Sequence, residues 1–212
     1  MKISEELLAG LREKISGRMS GKRLAHTLAV EKMAVRLGEL YCPEKKDVLA
    51  AAALLHDIAK ELSVEEHIAI CEKYGAEYTN DNILAPKTFH AITAAALIPT
   101  EFSEFNDDEI ISAVRYHTTG REGMTLIEKI IYLADYIDDT RTFPDCVKLR
   151  QMFWGVDVEA MNENERICHL DRVVLCSLEM TIADLKENGR VVNADTIAAK
   201  DSLIEKYNHG ET

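Results

Sequence analysis

Residues 50–60 read AAAALLHDIAK. Four alanines and two leucines make a helix that must face a core, and this one carries His56, Asp57 and Lys60 with it. An ion in a core is costly unless it is paired or bound to a metal. His56 follows Ala52 by four residues and Leu49 by seven, so helical periodicity puts it on the apolar face. Asp57 lies one step on, about 100° round the helix.

The same periodicity runs through most of the chain. Ser20 can cap a helix whose stripe is His26, Val30, Met33, Leu37 and Leu40. Pro43 opens the helix holding the alanine run. Ser63 with Glu66 reads as a capping box for a helix ending near Gly75. YTNDN reads as a loop, and a helix is expected from about Lys87 to Ile98. Asn106 with Glu109 resembles a second box, opening a helix that reaches His117. TTGREGM reads as a loop, and Thr125 with Glu128 boxes the start of IEKIIYLADYIDD. TRTFPD reads as a loop with a proline stop. A long helix is expected from about Val158 to Lys186, ended through Gly189, and a last one from near Asp195. No alternation of β-branched residues persists long enough for a sheet. The expectation is one all-α domain over residues 1–212, without repeats or a linker.

A formal charge of −12 argues against a nucleic-acid partner. It leaves room for a phosphate substrate, because a bound metal or a few local cations override the global charge. The five cysteines, Cys42, Cys71, Cys146, Cys168 and Cys176, form no C-x-x-C pair and read as free thiols of a reducing compartment. MKISEELLAG has no signal-peptide h-region, and no apolar run approaches the ~20 residues of a membrane span. The expected location is cytoplasmic.

The habit of His56 recurs. His26 heads its stripe, His90 leads Ala94 and Leu97, His117 ends the stripe Ile110, Ala113, Val114, and Asp135 follows Ile131 and Tyr132. Each alone has a plain reading as a hydrogen-bonded core residue. Together, five helices point ligand-type side chains inward, and imidazole plus carboxylate is the donor set of Fe, Mn, Co or Zn. His67, His169 and His209 lie among charged or polar residues and read as surface histidines.

The order His26, His56-Asp57, Asp135 resembles the HD-domain metal-dependent phosphohydrolases. HTLAVEKMA, AALLHDIAKELS, AVRYHTTGREGMTLIEKIIYLADYID and RTFPDCVKLR are more narrowly similar to the YqeK family of symmetrical diadenosine tetraphosphate hydrolases. The likeness covers residues 18–150, with RYHTTGREGM the most specific block, and returns weakly in NADTIAAKD. The chain departs from it in the polar segment 154–174 and at Ala91, where a glycine usually follows the histidine. The resemblance implies an all-α HD-domain bundle with a helical C-terminal extension. It implies one divalent metal on His26, His56, Asp57 and Asp135, iron being favoured. His90 and His117 would hold a second metal or a phosphate.

It also implies a nucleotide substrate, with ADP as product. A metal makes water nucleophilic near neutral pH, and phosphoanhydride cleavage then needs positive charge around the phosphates. Lys60, a turn from His56 and Asp57, is the natural electrophile, with a solvated helix-end lysine as an equal alternative. Thr118, Thr119 and Gly120 offer hydroxyls and backbone amides, and Arg141 a guanidinium fork. Arg23 and Arg121 are weaker candidates of the same kind, and Phe143 either stacks on a base or anchors its loop. Other HD-type nucleotide phosphohydrolases and a non-catalytic nucleotide-binding regulator are the competing readings. Oligomeric state stays open, a homodimer included.

Overall fold

The computed structural model describes residues 3–208. Among them are eleven α-helices, two short 3₁₀ turns and no strand. The helices are α1 Glu5–Ser16, α2 Gly21–Tyr41, α3 Lys46–Leu55, α4 Val64–Tyr74, α5 Asn80–Leu84, α6 Pro86–Glu101, α7 Asp108–Tyr116, α8 Leu126–Ile137, α9 Pro144–Trp154, α10 Glu163–Glu187 and α11 Ala194–Asn208.

α3 is the hub. It packs against α1, α2, α7 and α8, and Val48 through Leu55 are all buried. The alanines let neighbouring backbones approach closely. Gly38 on α2 does the same from the other side, since a Cβ there would stand 2.6 Å from Leu49 Cδ1. This close α2–α3 pairing brings His26 beside His56. One continuous apolar cluster draws on residues from Ile3 to Leu203, so the C-terminal helices share the core of the N-terminal ones.

The caps at Ser20, Ser63 and Thr125 form as expected, each side chain accepting from the backbone N–H three residues on. Elsewhere the structure corrects the sequence reading. α1 was not anticipated, although Leu8, Leu11 and Ile15 make a regular buried stripe. α3 stops at Leu55, and His56 to Leu62 continue in tight turns, with Ile58, Lys60 and Leu62 donating to the carbonyl three residues back. YTNDN is not all loop: Thr79 N–H donates to Asn82 Oδ1 at 2.8 Å and starts α5. α7 is capped by Asp107, whose Oδ1 accepts from Glu109 N–H, so the Asn106–Glu109 box does not form. Pro144 begins α9 instead of stopping a helix, because a helix's first residue needs no N–H. α10 starts at Glu163, on a capping box of Asn162 and Glu165. In the polar stretch 154–174, Trp154 thus ends α9, a turn follows, and the first half of α10 completes it.

His67 and His169 are buried, not surface residues. His67 Nδ1 lies 2.8 Å from Thr93 Oγ1, and His169 Nε2 lies 3.0 Å from Phe153 O. Each imidazole enters the interior because one polar partner waits for it there, which no local pattern announces. His209 lies outside the described residues.

Gly120 holds the loop between α7 and α8 at φ 65°, and its missing Cβ leaves room for Ala199 of α11 and for Met124. A Cβ there would stand 2.9 Å from Ala199 Cβ. Gly120→Ala is expected to destabilise the fold by about 1–3 kcal/mol. Urea denaturation checks this, and a midpoint equal to wild type would refute it.

Candidate metal centre

Two of the histidines occupy the same local position. His56 and His117 are each the first residue past a helix, with right-handed backbone angles. Each ring turns back onto its own helix. His56 Nδ1 donates to Ala53 O at 2.6 Å, and His117 Nδ1 donates to Val114 O at 2.7 Å. One of the helix's last carbonyls is satisfied, and the tautomer is set with the proton on Nδ1. The Nε2 lone pair of each ring is then left facing inward, as a ligand requires.

Asp57 joins the two halves of the site. It is 2% exposed. Its Oδ2 lies 3.4 Å from His56 Nε2 and 3.8 Å from His26 Nε2. Its Oδ1 lies 3.0 Å from His90 Nε2 and 3.7 Å from His117 Nε2. Asp135, on α8, reaches His26 Nε2 at 2.9 Å and His56 Nε2 at 3.9 Å. His90, from the middle of α6, stands 3.0 Å from His117, Nε2 to Nε2. Because α6 runs unbroken through His90 and Ala91, no glycine is needed there.

Four triads have their donor atoms within 4.8 Å of one another: His26, His56, Asp57; His56, His117, Asp135; Asp57, His90, His117; and His26, Asp135, Asp138. All seven residues are buried. His56 Nε2 and Asp57 Oδ1 have no hydrogen-bond partner. An orphaned buried lone pair costs about 1–3 kcal/mol, and four imidazoles with three carboxylates are a ligand set for a divalent cation. The residues present therefore fit a divalent metal.

The electrostatics agree. Burial and the Lys60 ammonium push His90 down to about 3, and burial lowers His117, so both rings are neutral at pH 7, the form that can donate to a metal. Burial works against an ionised Asp57 and Asp135. Even so, His56 and the other imidazoles hold Asp57 well below the usual carboxylate range, and Arg141 does so for Asp135. At His26 burial opposes the charged ring but loses to Asp135 and Asp138, and the pKa rises to about 9. The carboxylates beside His26 thus favour positive charge at this corner of the site.

The cations named from the sequence lie at the rim. Lys60 comes off the turn, not off a helix face, yet its Nζ is 3.8 Å from Asp57 Oδ1 and 3.1 Å from His90 Nε2. Arg23 Nη1 pairs with Asp57 Oδ2 at 2.6 Å. Arg141 Nη2 pairs with Asp135 Oδ1, and its Nε donates to Asp135 O at 2.8 Å. In this structure both guanidiniums are bound to candidate metal ligands and are not free forks. Phe143 is 65% exposed and so does not anchor its loop in the core.

The expectation for the loop after His117 holds only in part. Thr118 Oγ1 is buried and unpartnered. Thr119 Oγ1 donates to Gly120 O, and Gly120 N–H donates to Tyr116 O at 2.8 Å. These groups are spent on the loop itself, because a turn that tight must satisfy its own backbone.

Three residues were missed by the sequence reading. Asp138, one turn after Asp135, places Oδ2 3.4 Å from His26 Nδ1 while its Oδ1 accepts from Thr140 N–H at 2.8 Å. Thr140 Oγ1 lies 3.3 Å from the same His26 nitrogen. Arg150 of α9 fastens this corner by donating to Ile137 O and Arg141 O, each at 2.8 Å. The acidic run DYIDD was the available signal for Asp138. Removing such an outer-shell carboxylate typically weakens metal affinity about 10–100-fold. Asp138→Ala is expected to do so in chelator competition, and unchanged affinity would refute its role in orienting His26.

An all-helical bundle whose hub carries buried histidines and aspartates in this order is the architecture of an HD hydrolase. The HD domain family model matches residues 23–140. A symmetrical bis(5'-nucleosyl)-tetraphosphatase of Bacillus subtilis (strain 168) is 34% identical over 203 residues, covering 94% of this chain and 97% of that one. One from Halalkalibacterium halodurans is 32% identical, covering 86% and 89%. Among solved structures, a predicted HD superfamily hydrolase involved in NAD metabolism from Clostridium acetobutylicum superposes with a TM-score of 0.81 at 30% identity, covering 93% of this chain and 97% of that one. The chain belongs to the HD-domain family and, within it, to the symmetrical bis(5'-nucleosyl)-tetraphosphatases. No helix among the described residues is long and apolar enough to cross a membrane.

Proposed function

We propose that this protein hydrolyses diadenosine tetraphosphate to two molecules of ADP at the buried His/Asp cluster. The observation that carries the reading is the division of Asp57. One oxygen faces His26 and His56, the other faces His90 and His117. A divalent metal would be held here by His26, His56, Asp57 and Asp135, and a second ion by Asp57, His90 and His117. Iron is the proposed metal, with Mn, Co and Zn as alternatives of the same ligand preference. When bound, the metal supplies Lewis acidity that activates water and polarises a phosphoryl oxygen.

The chain's own residues do the remaining work. His56 and His117 keep Nε2 unprotonated through their Nδ1 bonds. Asp138 and Thr140 hold His26 in line. Lys60, beside His90, meets the negative charge that builds on the phosphates as the anhydride breaks. Arg23 and Arg141, paired with Asp57 and Asp135 at the same rim, are the further cations that phosphate would meet. The helices after residue 150 belong to the same unit, which we read as a single domain.

With water attacking the β-phosphorus, ADP is both leaving group and product. In ¹⁸O-labelled water, the label is expected on the terminal β-phosphate of one of the two ADP molecules. A mixture of ATP and AMP would mean attack one phosphorus over and would overturn the symmetrical register. ADP alone separates this reading from other HD phosphohydrolases, and nucleotide binding without turnover would favour a regulator.

A further inference from the structure

His90 differs from the other histidines of the centre in how its ring is held. His56 and His117 bond Nδ1 to a carbonyl of their own helix, and His26 Nδ1 faces Thr140 and Asp138. Such an outer partner is what normally orients a ligating imidazole. Among the described residues, no carbonyl or carboxylate reaches His90 Nδ1. Its neighbour is the Lys60 ammonium at 3.4 Å, a donor on a flexible stem. The place of this ring is therefore set mainly by the backbone of α6.

That backbone is fastened from α4. Thr93, fully buried, stands one turn after His90, with Oγ1 3.0 Å from His90 O and 3.5 Å from Phe89 O. Its single hydroxyl proton goes to the nearer carbonyl, that of His90. A lone pair is left over, and His67 Nδ1–H donates to it at 2.8 Å. A threonine in a helix has two common rotamers, because its hydroxyl can turn to either carbonyl of the preceding turn. The His67 bond selects the rotamer that holds His90 O. A back-bond of this kind bends a helix slightly, so the choice of rotamer is felt at His90.

The packing places this relay at a boundary. Ala94, Ala95, Leu97 and Ile98 of α6 join the main apolar cluster, whereas Phe89 and Ile92 belong to a second, smaller one with Cys71 of α4. The His67 ring lies against Phe89, centroids 5.0 Å apart. His90 and Thr93 thus sit where two packing units meet, and the buried His67–Thr93 pair is a polar joint between α4 and α6.

We infer that His67 and Thr93 are positioning residues for His90: the bond from α4 fixes the Thr93 rotamer, and through it the part of α6 that presents the imidazole to Asp57 and His117. The assignment rests on the reading of His90 as a donor of the metal centre and is independent of the substrate. Thr93→Val keeps the shape and removes the hydroxyl. Thr93→Ser keeps the hydroxyl, and His67→Asn keeps a donor, its amide nitrogen standing near the place of Nδ1. Ile92→Val loosens the same small cluster without touching the relay. Full-length, zinc-loaded proteins are compared by ¹⁵N-histidine NMR, by calorimetric zinc titration and by urea denaturation.

In Thr93→Val the ring signals of His90 are expected to shift while those of His26 stay in place. Affinity for the more weakly held zinc should fall about tenfold, the lower end for an outer-shell change. Thr93→Ser and His67→Asn should match wild type in both. Should Thr93→Val fail to fold, His67→Leu puts the same question from the α4 side, with the same shift expected. Unmoved His90 signals would overturn the relay. Equal changes in Ile92→Val would also overturn it, making the pair a packing contact like its neighbours. If His90 shifts selectively but wild type binds a single zinc ion, the positioning stands and the second ion of the proposed function falls.

Discussion

Asp57→Ala should lose metal and activity together. The carboxylate stands in two of the triads, and each of its oxygens faces a different pair of imidazoles. No neighbour can replace it: Asp135 already serves His26, and Asp138 lies behind that ring. Deleting it also frees Arg23, whose guanidinium would place an unbalanced positive charge beside the site. Metal content by elemental analysis should fall to background, and turnover should drop by at least about 10³-fold, since the Lewis acid and its counter-charge vanish together. Wild-type metal content in this variant would remove Asp57 from the centre. Normal metal with lost activity would leave it a substrate contact only.

Lys60→Ala should separate substrate handling from metal binding. An ammonium has no lone pair to give, so metal content should match wild type. The rate should fall on the order of 10²-fold, the scale of one lost electrostatic stabiliser in a partly dry site. Burial lowers the Lys60 pKa, and its ammonium faces Asp57 and His90, so it is not a solvated surface lysine. Lys60→Arg should recover part of the rate, because charge returns with a different shape. Full activity in Lys60→Ala would make the lysine a spectator, and loss of metal would make it part of the centre's scaffold.

The histidine–aspartate order was legible because burying such groups repeatedly on apolar stripes has few explanations other than a metal. His26, His56, Asp57, His90, His117 and Asp135 all converge, as periodicity and the resemblance implied. The all-helical class was legible for a similar reason: caps and a 3.6-residue repeat are local, and local energetics chose Ser20, Ser63 and Thr125 as starts. Helix ends were less legible. α3 stops at Leu55, where the His56 ring turns back to Ala53 O and leaves its other nitrogen among side chains from other helices, which no local pattern announces.

What lay beyond the sequence was pairing between distant segments. Whether His67 sits in water or on Thr93 depends on how α4 meets α6. Whether Arg141 is a free fork depends on Asp135 being within reach, and whether Gly120 offers its amide depends on Tyr116 and on the space left by Ala199. The cavity between the α5–α6 junction and the end of α10 has no motif at all, since its walls, with Leu84 on one side and Leu185 on the other, come from distant parts of the chain. Sequence determines the donors and the helical period, because both are properties of single residues and their near neighbours. Only the tertiary structure decides which donors are already taken, because a hydrogen bond or a cavity belongs to two segments at once.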